Sequence, residues 1–143
     1  MSTTTIRNIL GARKVHSVSP GTSIQDAARL MAELNVGALA VLEGGSLKGI
    51  LSERDIVFRV VAQGLPLSDT PVGTAMTADP VTIDIDDAVS EALVVRLGET
   101  FRHLPVMEAG QLVGLLSYRD IPAEYAMLYE RFREMSGARA DQR

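Results

Sequence analysis

Two short stretches of the chain carry the same polar side chains at the same spacing. The pattern Gly-x-x-Ser-x-x-Asp ends once at Asp55 and again at Asp120. A serine hydroxyl and the amides of a helix N-terminus can hold polar oxygens, and an aspartate one turn into the helix can accept two hydrogen bonds from a vicinal diol such as ribose. The alternative is purely structural: the serine caps the helix and the aspartate complements the helix dipole. Duplication favours neither reading, because a cap would also be repeated.

The two patterns belong to a longer internal repeat. Residues 52–56 (SERDI) return as residues 117–121 (SYRDI), at a spacing of 65 residues (120 − 55). The register also holds upstream, where Leu39 matches Leu104 and Gly45 matches Gly110. Each copy is too small to bury a good core alone, so the two are expected to pack together with approximate two-fold symmetry. Such a pairing creates two equivalent clefts.

Composition limits the classes of function. With 143 residues, 46% of them hydrophobic, the chain is long enough for one compact domain. The absence of cysteine excludes thiolate metal sites and cysteine nucleophiles, and two histidines argue against a zinc site, so no metal is expected. A net charge of −4 argues against nucleic acid as a partner, which would need a basic face.

Motifs of catalysis and of membrane insertion are also missing. The sequence contains no P-loop, no Gly-rich dinucleotide turn and no motif supporting a Ser-His-Asp triad, which predicts that the protein is not an enzyme. No apolar run approaches the roughly 20 residues that span a bilayer, and the first residues do not resemble a signal peptide. We therefore expect a cytoplasmic protein with no membrane partner.

The periodicity of apolar residues predicts the order strand, helix, strand, strand, helix in each copy. In the first copy a helix follows Ser23, a hairpin over 38–51 turns at Gly44 and Gly45, and Ser52 caps a second helix. The second copy repeats this order, and a final helix follows Pro122. We predict one globular module of three parts: a first unit with an N-terminal segment (1–66), a linker and second unit (67–122), and a C-terminal helix and tail (123–143).

The paired units, each closing on Gly-x-x-Ser-x-x-Asp, resemble a tandem of cystathionine-beta-synthase (CBS) domains of the stand-alone bacterial type, often called a Bateman module. The similarity covers roughly residues 6–122, and the sequence FRHLPV (101–106) resembles the start of a strand in the second unit of such pairs. The resemblance implies an α/β fold of two pseudo-symmetric units packed through their sheets. It also implies disc-like homodimers and an adenosyl ligand in the clefts: AMP, ADP, ATP, NAD or S-adenosylmethionine.

Carried over residue by residue, the family pattern implies two ligand clefts, each combining the serine and aspartate of one unit with strand beginnings of the other. Cleft A would contain Ser52, Arg54, Asp55, Val81, Thr82, Phe101, Arg102, His103 and Pro105. Cleft B would contain His16, Ser17, Val36, Gly37, Ala38, Ser117, Arg119 and Asp120.

The two clefts are expected to differ in charge. Arg102 and His103 of the second unit stand where the first has Gly37 and Ala38, so cleft A should prefer phosphate and cleft B a less charged or bulkier adenosyl group. Glu53 is expected to place a carboxylate beside the ribose site of cleft A. For His103 alone the alternative is an ordinary, partly buried histidine, and for His16 a structural or surface position.

The function implied by the resemblance is that of an adenine-nucleotide sensor acting in trans on an unknown effector protein. The alternative is a structural dimerisation module without a physiological ligand, and a nucleic-acid-associated factor is a minor hypothesis. A homodimer is also predicted by the apolar faces of the helix after Ser52 and of the final helix. The residues on these faces are Ile56, Val57, Val60, Val61, Tyr125, Tyr129 and Phe132.

Overall fold

The chain forms two separate β-sheets with helices beside them, in a computed structural model that describes residues 4–91, 103–117 and 120. The predicted α/β class with two repeated units is confirmed. In chain order the elements are α1 (Ile6–Leu10), β1 (Ser17–Val18), α2 (Ile24–Leu34), β2 (Ala38–Glu43), β3 (Ser46–Ser52), α3 (Glu53–Ile56), α4 (Val72–Ala75), β4 (Thr77–Ala78), β5 (Ile83–Asp84), α5 (Val89–Glu91), β6 (His103–Glu108) and β7 (Gln111–Ser117).

The hairpins of the two units have the same register. In the first, Ala38 pairs with Ser52 and Val41 with Gly49, and in the second the partners are those 65 residues further on. The turn residues Gly44 and Gly45 both have positive φ, at 58° and 82°, as a two-residue hairpin turn with the twist of the strands requires. The first sheet has the order β1-β2-β3-β4 and the second β5-β6-β7, and strands β3 and β7 of the two sheets contact each other.

The N-terminal helix α1 packs against the second unit, although it precedes the first unit in the chain. The amide of Ile6 donates to Asp87 O at 3.0 Å, and that of Arg7 donates to Ile85 O at 2.8 Å. The buried side chains of Ile6 and Leu10 then join the second hydrophobic core, whose other members are Ile83, Ile85, Val89, Leu104, Val106 and Leu116.

The segment after the linker makes the reciprocal exchange. Helix α4 places Val72 and Ala75 in the core of the first unit, and the amide of Val72 donates to Thr22 O at 2.7 Å. Strand β4 then extends the first sheet by pairing with β3. The chain-order boundaries 1–66 and 67–122 therefore do not show which core each segment joins.

The glycine of each repeated pattern makes room for these exchanged segments. A Cβ on Gly49 would lie 2.6 Å from Thr77 O, and a Cβ on Gly114 would lie 2.7 Å from Leu10 Cδ1. Both distances are far below van der Waals contact. At each glycine the close approach is thus made by another segment of the protein's own chain.

The helix after Ser52 departs from its prediction as a plain α-helix. Only α3 is α-helical, and a π-helix over Val57–Val61 follows it. The amide of Ala62 donates to Val57 O, and that of Leu65 donates to Val60 O, each five residues back. Val57, Phe58 and Val61 are each at least half exposed. The predicted final helix and the C-terminal part of the helix after Asp87 lie outside the described residues.

Candidate functional site

A cavity of about 350 Å³ lies between the two units, beside the second repeated pattern. Its wall combines residues from the segment after α1, from the start of β2, and from β7 and Asp120. The lining residues are Leu10, Arg13, Lys14, Val15, His16, Asn35, Val36, Gly37, Ala38, Glu53, His103, Gly114, Leu115, Ser117 and Asp120. Ligand sites in proteins commonly have volumes of about 300 to 1,000 Å³, so the cavity is large enough for a small molecule.

Asp120 is positioned by the end of strand β7. Its Oδ2 accepts a hydrogen bond of 2.8 Å from the amide of Ser117, as Asp55 does from the amide of Ser52 at 3.0 Å. The other carboxylate oxygen of Asp120 lies 2.5 Å from Nη1 of Arg13. The Asp120 side chain is 17% exposed. Its carboxylate is thus bonded on two sides and still lines the cavity.

The facing wall comes from the first unit. Helix α2 ends at Asn35, whose φ of 55° is the left-handed conformation that terminates many helices. The chain then passes Val36 and Gly37 into strand β2, while the carbonyl of His16 accepts a hydrogen bond from the amide of Ala40. Among the residues predicted for cleft B, the cavity therefore brings together His16, Val36, Gly37, Ala38, Ser117 and Asp120.

Of the other two residues of predicted cleft B, Ser17 has a described position and Arg119 does not. Ser17 lies in β1, opposite Ala40 of β2, and is exposed. Arg119 lies outside the described residues, as do Phe101 and Arg102 of cleft A. Whether the predicted residues contact a ligand stays a prediction.

His103 and Glu53 meet at Gly37, and this differs from the predicted arrangement. Both were expected in cleft A, yet both line the cavity that contains Asp120. A Cβ on Gly37 would lie 3.2 Å from Oε1 of Glu53 and 3.6 Å from Nε2 of His103. His103 and Gly37 thus share one cavity. Arg102, which stands at the register position of Gly37, lies outside the described residues, so the expected difference in charge between two clefts stays a prediction.

Asp55 of predicted cleft A is the more buried of the two repeated aspartates, at 8% exposure. Its Oδ2 accepts from the amide of Ser52, and its Oδ1 accepts a 3.3 Å hydrogen bond from the hydroxyl of Thr77. The Ser52 hydroxyl accepts in turn from the amide of Asp55, which completes a capping box. The observed contacts of Asp55 are therefore those of the structural alternative, in which the serine and the aspartate of the pattern serve the N-terminus of the helix.

The remaining described residues of cleft A lie in different environments and do not line one cavity. The guanidinium of Arg54 lies 4.5 Å from the ring centroid of Phe58, in a cation–π contact. Val81 packs against the second core, and Pro105 is fully buried in β6. Thr82 lines a different cavity, of about 500 Å³, beside the two hairpin turns.

Arg13 and Lys14 are the charged cavity residues that the sequence analysis did not select. Neither belongs to the repeated pattern, and Arg13 meets Asp120 across 107 positions of sequence. Only the packing of α1 on the second unit brings the segment after α1 to this place. The one signal in the sequence was the cluster Arg13, Lys14 and His16 just before the first strand.

An ion-pair network fastens α1 to the second unit at the protein surface. The guanidinium of Arg7 lies 3.0 Å from Asp86 and 2.5 Å from Glu108. The hydrogen bond from Arg7 lowers the pKa of Asp86 below its ordinary value of 3.8, and the bonds to Asp86 and Glu108 raise the pKa of Arg7. Over the described ranges, no three His, Asp or Glu side chains form a group that could hold a metal ion. No helix there is long and apolar enough to span a bilayer.

Two α/β units that repeat one another, with a cavity between them, have the organisation of a paired CBS module. The CBS domain family matches residues 6–62 and again residues 72–124. The chain therefore belongs to the CBS-domain family, and the resemblance inferred from the sequence is confirmed.

Relatives of known name or structure extend this assignment. The chain is 38% identical over 108 residues to the CBS domain-containing protein YhcV of Bacillus subtilis, covering 76% of each chain. It is 34% identical over 128 residues to CBSCBSPB2 of Arabidopsis thaliana, covering 89% of this chain but only 24% of that larger protein. The structure resembles a CBS domain protein from Pyrobaculum aerophilum complexed with AMP, with 31% identity and a TM-score of 0.76 over 89% of this chain and 97% of that one.

Proposed function

We propose that this chain is a regulatory module that binds an adenine nucleotide in the cavity around Asp120. The observation that carries the proposal is the composition of that cavity. It joins two carboxylates, two permanent cations and an apolar wall in a volume of about 350 Å³. The complex of the Pyrobaculum relative with AMP supports AMP as the first ligand to test.

Each part of the cavity suits one part of such a ligand. The carboxylate of Asp120 can accept a hydrogen bond from each of two ribose hydroxyls. Arg13 and Lys14 can neutralise a phosphate, the arginine by two-point contact with its oxygens. Val36 and Leu115 offer apolar surface to an adenine base.

Binding would rearrange the contact between Arg13 and Asp120. When ribose hydroxyls take the Asp120 oxygens, the guanidinium of Arg13 is released to the phosphate of the same ligand. Arg13 lies two residues beyond Gly11, which ends α1, and α1 packs in the core of the second unit. Ligand binding is therefore coupled to the position of α1 against that unit, and this is a route by which occupancy changes the module's outer surface.

The output would be a change in binding to an effector protein in trans, in the cytoplasm, without a catalytic step. The exposed apolar side chains of Val57, Phe58 and Val61 favour a homodimer as the working form. The same face is the observation that favours the second candidate function, a dimerisation module whose cavity has no physiological ligand. The two functions differ in one property, which is whether a nucleotide stabilises the folded state.

A thermal-shift screen with AMP, ADP, ATP, NAD, NADH and S-adenosylmethionine tests this difference. A ligand that binds only the native state raises the melting temperature, by an amount that grows with the logarithm of its concentration above Kd. We expect AMP to raise it and Asp120→Asn to abolish most of the rise. No shift with any of the six compounds at millimolar concentration would favour the dimerisation module.

A further inference from the structure

Glu53 places a carboxylate in the wall of the Asp120 cavity from the opposite unit. It is the first residue of α3, and its amide donates to the carbonyl of Gly37 at 3.0 Å. Its Oε1 lies 3.2 Å from the position that a Cβ of Gly37 would take. The fold thus fixes the backbone of Glu53 beside Gly37, and the exposed carboxylate lies next to this glycine.

This carboxylate has no structural partner within the described ranges. Asp55, two positions later, caps α3 and bonds to Thr77, and Asp120 pairs with Arg13. No hydrogen bond or ion pair of the described residues engages the Glu53 side chain. Within this part of the chain its negative charge is therefore not used to hold the fold and is available to act on whatever occupies the cavity.

The charges of the described cavity wall are nearly balanced because of Glu53. The lining residues include two permanent cations, Arg13 and Lys14, and two carboxylates, Glu53 and Asp120. Since Arg13 is paired with Asp120, Glu53 offsets the charge of Lys14. The corresponding position in the second repeat is Tyr118, which is neutral, so this negative charge is a property of one unit and not of the repeat.

We propose that Glu53 determines the ligand specificity of the cavity by limiting the negative charge of the nucleotide it accepts. This inference rests on the proposed function. Adenosine and adenosine monophosphate bind, because Arg13 and Lys14 suffice for one phosphate. Adenosine di- and triphosphates are disfavoured, because each added phosphate brings like charge towards the Glu53 carboxylate.

The test is a calorimetric titration of adenosine, AMP, ADP and ATP into the wild type and into Glu53→Gln. The substitution keeps the size of the side chain and removes only its charge. We expect the Kd of ATP to fall by about five- to tenfold and that of adenosine to change by less than about twofold. Glu53→Tyr introduces the residue found at this position in the second repeat. It should change the ratio of the Kd of ATP to the Kd of adenosine in the same direction.

The matched control is Glu43→Gln, which removes an exposed carboxylate at the end of β2, away from the cavity lining. It should leave all four affinities unchanged. If the wild type binds these ligands and Glu53→Gln shifts all four equally, or none, the specificity role of Glu53 is wrong while the nucleotide site stands. If the wild type binds none of the four, the proposed function itself is wrong and the inference falls with it.

Discussion

The guanidinium of Arg13 lies 2.5 Å from a carboxylate oxygen of Asp120, 107 positions away in the sequence. The carboxylate expected to bind a ribose thus already holds a cation, which comes from the segment between α1 and β1. In the proposed mechanism this pair opens when a nucleotide binds, because ligand hydroxyls replace the guanidinium on Asp120 and the phosphate receives it.

Arg13→Ala should therefore distinguish the contribution of the phosphate to binding from that of the nucleoside. We expect the affinity for AMP to fall by about tenfold, since a charge-assisted contact to phosphate is lost. Adenosine should bind as well as before or more tightly, because the Asp120 carboxylate no longer has a competing partner. Titrations of AMP and adenosine measure the two affinities. The control is Arg29→Ala, which removes an exposed arginine of α2. Equal losses for AMP and adenosine would show that Arg13 does not contact the phosphate.

The glycines of the repeated pattern should differ in their tolerance of a methyl group. In Gly49→Ala the new Cβ meets the backbone oxygen of Thr77, which cannot move alone, whereas in Gly114→Ala it meets the end of the Leu10 side chain. We expect Gly49→Ala to lower the free energy of unfolding by about 1 to 3 kcal/mol, and Gly114→Ala by less.

Urea unfolding at constant pH measures both effects. Gly21→Ala is the matched control, because nothing lies within 4 Å of its Cβ position, and it should be neutral or slightly stabilising. If Gly49→Ala were as stable as Gly21→Ala, the expected steric overlap between the new Cβ and the Thr77 oxygen would be contradicted.

Much of the fold could be predicted because its signals are local. The 65-residue repeat, the apolar periodicity and the turn at Gly44 and Gly45 correctly predicted α2 and the first hairpin, and the repeat carried the same hairpin to β6 and β7. The exchange of α1 and α4 between the cores could not be predicted. Their short apolar patterns show that each helix is buried, but not against which of two similar cores.

The candidate site was predictable only where it depends on the repeat. Asp120 and Ser117 were found because their spacing recurs, and Gly37 through its register with Arg102. Arg13 was missed, since its place in the cavity depends on the exchange of α1. His103 was expected in cleft A, because sequence register does not show that its side chain lies beside Gly37.

The ion pair between Arg7 and Asp86 should give a small, pH-dependent contribution to stability. The pKa of Asp86 is lowered in the folded protein, so its contribution is fully present above the ordinary value of 3.8 and is lost as the pH falls through the lowered value. Asp86→Asn should therefore be less stable than the wild type at pH 7 and equal to it at sufficiently low pH. Both side chains are largely exposed, so added salt should reduce the difference.

Denaturant unfolding between pH 3 and pH 7 tests this contribution, with the exposed Asp69→Asn as the control. A difference between the wild type and Asp86→Asn that grows as the pH falls would have the wrong sign for a lowered pKa.

The apolar face formed by Val57, Phe58, Val61, Leu65 and Leu67 should lie in a homodimer interface. These side chains lie close together in the sequence and are between 39% and 57% exposed, and an extended exposed apolar surface usually marks an interface. Light scattering at micromolar concentration should give twice the chain mass of 15.4 kDa, and Val61→Asp should shift the protein towards monomer. Ala32→Asp, on the exposed side of α2, is the control. A wild type that is monomeric at every accessible concentration would refute the interface.

The central claim, a nucleotide site built on Asp120, is tested most directly by titrating AMP into the wild type and into Asp120→Asn by calorimetry. The asparagine keeps the shape and an acceptor for the Ser117 amide but loses the charge. We predict saturable binding of AMP to the wild type and a Kd at least about tenfold higher in the variant, with its circular dichroism spectrum unchanged. An equal Kd in the two proteins, or no binding to the wild type, would contradict the account.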